Sequence, residues 1–143
     1  MANYEQTVNV IGAIKTTRTD AWLEATGQVL KLYRQHFGTI PVAVKESMKG
    51  VDVAAAWTED RSALTLVAVN TTDKPVTIAL ETQGITLPEK SSGWTIQNND
   101  AEAYNDETNK NNVAIQDIEI AVEDGKIELA PYSVTMIKMP AGK

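Results

Sequence analysis

The chain has 143 residues, 43% of them hydrophobic and 22% charged, with a formal net charge of −6 at pH 7. This is ordinary globular material, long enough for one domain with a core, and without a basic stripe to neutralise phosphates it excludes a nucleic-acid partner. With no cysteine and a single histidine, disulfides, thiol catalysis and a structural zinc site are excluded, and no cofactor is expected. No apolar run approaches the ~20 residues of a membrane span, so no membrane partner is expected.

The first forty residues read as helical. Tyr4, Val8, Val10, Ile11 and Ile14 cover most of a helical wheel from about Asn3 to Lys15, leaving Glu5, Gln6 and Asn9 as a narrow polar strip. A helix apolar around most of its circumference should be covered on nearly all sides. Thr16 to Asp20 form a break, with Thr19 or Asp20 as N-cap of a second helix from Ala21 to His36. Trp22, Ala25, Val29, Leu32 and Tyr33 fall on one side of that helix. Gly38 stands where a left-handed C-cap is wanted, and Pro41 prevents continuation.

After Pro41 the hydrophobic period changes from 3.6 to 2. Val51, Val53, Ala55 and Trp57 alternate with more polar or smaller residues. Leu64, Leu66 and Ala68 alternate with Thr65, Val67 and Val69, so that strand is apolar on both faces and reads as central. With Val76, Ile78 and Leu80 these strands suggest an antiparallel meander. Residues 88–112 are polar apart from Gly93 to Ile96, and the part from Gln97 to Asn112 holds six asparagines, so it reads as a long loop. Val113 and Ile115 are out of phase with Ile118, Ile120 and Val122, which suggests a β-bulge near Gln116 and Asp117. Glu123-Asp124-Gly125-Lys126 is a hairpin turn, and Ser133 to Met139 closes the domain. The expected fold is mainly β, with two N-terminal helices in residues 1–40 and an antiparallel, jelly-roll-like β-sandwich in residues 41–143.

Chemistry is sparse. Glu59, Asp60, Glu123 and Asp124 lie in predicted turns, and Glu102, Asp106 and Glu107 in the polar loop, so all read as solvated charges. No pair stands out as the acid and the base or nucleophile that a glycosidase needs. A third reading, an enzyme in its own right, would require Glu102 and Asp106 to converge with another acid. His36 has no neighbouring nucleophile and suits a helix C-terminus. Asn70-Thr71-Thr72 is a formal glycosylation sequon and is read as chance. Of the three tryptophans, Trp22 and Trp57 fall on buried phases, while Trp94 stands beside the long loop and could stack on a sugar. Trp94 with Tyr104 is therefore the candidate sugar platform, and it carries the alternative function of a non-catalytic carbohydrate-binding module.

The run Ala2-Asn3-Tyr4-Glu5-Gln6-Thr7-Val8-Asn9-Val10-Ile11 resembles a signature of the α-L-arabinofuranosidases of glycoside hydrolase family fifty-one, where such a run begins the last helix of the catalytic (β/α)₈ barrel. Leu32-Tyr33-Arg34-Gln35-His36-Phe37-Gly38 looks like that family's helix leading into its C-terminal β-sandwich. Val51 to Ala55, Leu64 to Asn70 and Ala130 to Thr135 fit the sandwich itself. The resemblance implies a parent enzyme that removes α-L-arabinofuranosyl groups from arabinan or arabinoxylan with retention, its two catalytic glutamates on the barrel upstream of this chain. It implies that Gln6 holds the arabinose in the reacting subsite, as an amide that both donates and accepts. Glu5 stands where the family more often has a small residue. This chain itself is expected to lack a catalytic pair and to serve structure and assembly, partnered by the missing barrel or by a second copy of itself. Arabinose-containing polysaccharide or oligosaccharide is the expected ligand, and the expected location is cytoplasmic.

Overall fold

A computed structural model describes residues 6–45, 48–83 and 85–141. The chain runs β1 (Ile14–Thr16), β2 (Ala21–Leu23), α1 (Ala25–His36), β3 (Ile40–Val42), β4 (Val51–Trp57), β5 (Ala63–Asn70), β6 (Val76–Ala79), β7 (Lys90–Gln97), β8 (Gln116–Ala121), β9 (Lys126–Leu129) and β10 (Ser133–Pro140). Strands β3-β4-β5-β10-β7-β8 form one antiparallel sheet, β6-β9 a second, and β1-β2 a separate hairpin.

The six-stranded sheet has a core on each face. Leu64, Leu66, Ala68, Ile137 and Met139 point to one side and bury Ile78, Ile127 and Leu129 of the β6-β9 sheet. Val67, Ile96 and Met136 point to the other and bury Leu32 of α1 together with Val113. The molecule is thus layered helix, six-stranded sheet, two-stranded sheet. Strand β5 is buried on both faces, as its apolar alternation predicts. Its neighbour β10 shares that position, with Met136, Ile137 and Met139 all at 0% exposure.

Several expectations are corrected. The antiparallel sandwich is present, but its strands divide six and two and do not establish a jelly roll. Among the described residues there is one helix, not two. Residues 3–5 of the expected first helix lie outside the described residues, and the rest of it is a tight turn followed by β1. The run from Thr7 to Thr17 is rich in β-branched residues, which are stiff at χ1 and resist helix. The Asn9 side chain also offers the backbone an alternative: its Oδ1 accepts from the Thr16 amide at 2.9 Å and its Nδ2 donates to Thr16 Oγ1 at 3.0 Å. The Asn9 amide donates to Ile14 O at 2.8 Å and the Ile14 amide to Thr7 O at 3.0 Å, closing the turn.

The polar break at Thr17 to Asp20 is the β1-β2 hairpin turn, fastened by the Thr17 amide on Asp20 O at 2.9 Å. Trp22 therefore belongs to β2 rather than to a helix, and α1 starts at Ala25 with Glu24 as N-cap, which makes no side-chain capping bond. At its other end Phe37 is the extended C-cap. Gly38 is not a left-handed cap; it is needed because a Cβ there would strike the Trp57 and Ala56 carbonyls.

The expected meander stops after two strands, because β6 leaves the large sheet to pair with β9. No bulge interrupts β8, whose register against β7 runs unbroken from Lys90↔Ala121 to Thr95↔Gln116. The phase slip arises because Val113 and Ile115 serve the helix-side core while Ile120 and Val122 serve the sandwich core. The turn at Asp124-Gly125 is as expected, with φ of 50° and 71° and paired Glu123 and Lys126 amides and carbonyls at 3.0 and 2.8 Å.

One polar atom of the sandwich side is out of place. Ser91 Oγ is buried and has no hydrogen-bond partner among the described residues. An unsatisfied buried hydroxyl costs free energy, so Ser91→Ala is expected to raise stability by about 1 kcal/mol in urea unfolding. A loss of similar size would show that the hydroxyl is satisfied.

Candidate functional site

The sequence-predicted residues occupy separate places. Gln6 is exposed at the edge of the described chain. Trp94 lies in the middle of β7, half-buried against the helix-side core, and the His36 imidazole from the end of α1 stacks on its indole at 3.7 Å and 20°. The two line a shallow depression of about 200 Å³ with Glu59 and Lys138. Burial pushes the His36 pKa down, opposed by the nearby Asp117 carboxylate and assisted by the Lys138 ammonium. Tyr104 is 62% exposed on the long loop and does not line the depression that holds Trp94.

The long loop is fastened rather than loose. Asn105 is fully buried and uses its whole amide: Nδ2 donates to Leu23 O and to Val113 O, both at 2.8 Å, and Oδ1 accepts from the Val113 amide at 2.7 Å. Its carbonyl accepts from Trp22 Nε1 at 3.0 Å, and Lys110 reaches Asp20 at 2.7 Å, so the loop is tied to the β1-β2 hairpin.

The perturbed carboxylates are committed to turns. Asp60 is lowered to about 2, first by Thr58 Oγ1 and then by the Ser62 amide and hydroxyl. Asp106 is lowered by the Thr108 hydroxyl and the Asn109 and Thr108 amides. Both are acceptors held ionised by local donors, which suits a turn and not a proton donor. Among the described residues no group of three His, Cys, Asp or Glu could hold a metal ion, and no helix is long and apolar enough to cross a membrane. Asn70 of the sequon is buried, its Nδ2 donating to Lys74 O and Ala130 O at 2.8 Å, so the amide is not available for a glycan.

A second cavity, of about 220 Å³ and as open to solvent as the first, lies between the first turns of α1, the end of β7 and the start of β10. Val29, Ile96 and Val134 form its apolar floor, and Gln97, Asp100 and Tyr132 line it with polar groups.

The family model of the α-L-arabinofuranosidase C-terminal domain matches residues 1–133. The chain belongs to that family. The arabinofuranosidase of Thermotoga maritima, solved with arabinose, is 25% identical at a TM-score of 0.77 over 95% of this chain. The GH51 enzyme of Thermotoga petrophila RKU-1 is 23% identical at a TM-score of 0.77 over 94% of it. That of Xanthomonas axonopodis pv. citri is 20% identical at a TM-score of 0.77 over 97% of it. The chain spans only 32%, 33% and 31% of the T. petrophila, T. maritima and X. axonopodis structures, about a third of each. A search of curated proteins finds no match.

The second cavity gathers polar side chains on an apolar floor at a place the sequence reading did not single out. Gln97 and Tyr132 were not legible as neighbours, because nothing local marks the meeting of α1, β7 and β10. The one signal is the Pro131-Tyr132 turn, where Tyr132 takes a φ of 44°, a conformation that favours glycine.

Proposed function

We propose that this chain is the C-terminal β-sandwich of a retaining α-L-arabinofuranosidase acting on arabinan or arabinoxylan side chains, and that its own role is to dock on the catalytic (β/α)₈ barrel. In this reading hydrolysis belongs to the barrel, which supplies the acid/base and nucleophile of a double-displacement reaction. This chain contributes support and the Gln6 amide.

One observation carries the docking role. Val10 and Ile11 are 79% and 57% exposed, and Asn9 and Val10 hold φ of 54° and 48°. A β-branched residue in the left-handed region is costly. The turn that imposes it lifts two large apolar side chains into solvent, beside Val8, which is also exposed. Exposed apolar patches of this kind mark interaction surfaces. Gln6 lies on the same segment, as a subsite residue at a barrel interface would. About two thirds of each relative's chain lies outside the part that this domain matches, room enough for such a partner.

With no barrel present, the patch has a second copy to bury against. Light scattering at rising concentration is expected to show self-association, removed in the V10D/I11D double variant while the circular dichroism is unchanged. A monodisperse monomer at high concentration would overturn the docking role.

A further inference from the structure

We propose that the cavity between α1, β7 and β10 binds one neutral sugar unit, held on Val29, Ile96 and Val134 and hydrogen-bonded by Gln97, Asp100 and Tyr132. The site is separate from the docking segment, since none of residues 6–13 lines it. The proposal therefore stands or falls independently of the docking role.

Three features select the ligand. The volume of about 220 Å³ is small, of the order of a single ring rather than a chain. The lining pairs an apolar floor with amide, carboxylate and phenol groups, which suits a molecule with C–H faces and hydroxyl edges. No lysine, arginine or histidine lines it, while Asp100 does, so an anionic ligand is disfavoured.

The polar groups have capacity to spare. The Gln97 amide and the Tyr132 hydroxyl make no hydrogen bond among the described residues. Asp100 Oδ1 accepts from the Glu102 amide at 2.9 Å, leaving its other oxygen for a ligand. Asn98 beside them is used internally, accepting from the Asp100 amide at 3.0 Å and donating to Asn112 O at 3.2 Å, which stiffens the wall. Tyr132 is held in its left-handed conformation by its amide on Thr72 O at 3.0 Å. A tyrosine kept where glycine would sit without strain is the pattern of a side chain retained for what it presents.

The test is an amide-shift NMR titration of the labelled chain with L-arabinose, D-xylose and D-glucuronate. L-arabinose or D-xylose is expected to shift the Gln97, Ala101 and Tyr132 amides saturably, and glucuronate to leave them in place. Gln97→Ala and Tyr132→Phe should each weaken binding roughly threefold to tenfold, the loss of one hydrogen bond, with the rest of the spectrum unmoved. Trp94→Ala should leave the affinity unchanged. The absence of saturable shifts with both neutral sugars, equal binding of glucuronate, or shifts centred on Trp94 and Tyr104 would each overturn the proposal.

Discussion

Asn105→Ala is expected to destabilise the chain by about 4 kcal/mol, the largest loss for any polar residue here. The substitution removes three side-chain hydrogen bonds at once and strands the carbonyls of Leu23 and Val113 and the amide of Val113. Val113 is itself buried in the helix-side core, so water cannot replace those bonds without opening that core. Asn105→Asp should fare no better, because a buried carboxylate would face two carbonyl oxygens. Urea unfolding gives the loss. Hydrogen exchange gives its origin, since amides of the loop and of β2 should lose protection together. A loss under about 1 kcal/mol would mean that the loop is not fastened through Asn105.

Gly93→Ala is the second large effect, expected to cost about 3 kcal/mol or more. Gly93 lies opposite Ile137 on β10 and Ile118 on β8. A Cβ there would strike the Met136 carbonyl and sit 3.1 Å from Ile137 Cα. These are backbone atoms of a central strand, so no side-chain rotation relieves the contact. Gly125→Ala is the control: its φ of 71° is strained for alanine, but the nearest atom lies 3.4 Å away, and the cost should stay near 1 kcal/mol. Thermal unfolding of the two variants should rank them clearly. Equal midpoints would contradict the close strand contact at Gly93.

Period and parity were readable where one face or both faces of a strand are simply buried. Strand β5 and the Asp124-Gly125 turn followed directly from the residues. The same parity misled at β8, because the residues just before the strand feed one core and the strand feeds the other, which looks like a slip within one strand. The N-terminal segment misled for a different reason. Its apolar residues fit a helical wheel, but β-branching and the Asn9 side chain favour a turn, and wheel geometry weighs neither. The long loop was legible as a loop and not as a fastened one, since composition cannot tell the buried Asn105 from the solvated asparagines around it. The candidate cavity was the least legible. Gln97 and Tyr132 come together only through the pairing of β7 with β10, where Ser133 lies opposite Gln97.

The most direct measurement is release of 4-nitrophenol from 4-nitrophenyl α-L-arabinofuranoside by the purified chain. The account predicts a rate equal to that of buffer, because the hydrolytic carboxylates are assigned to the barrel. Turnover that scales with the chain's concentration and disappears when one of its own carboxylates, such as Glu102, is replaced would contradict it.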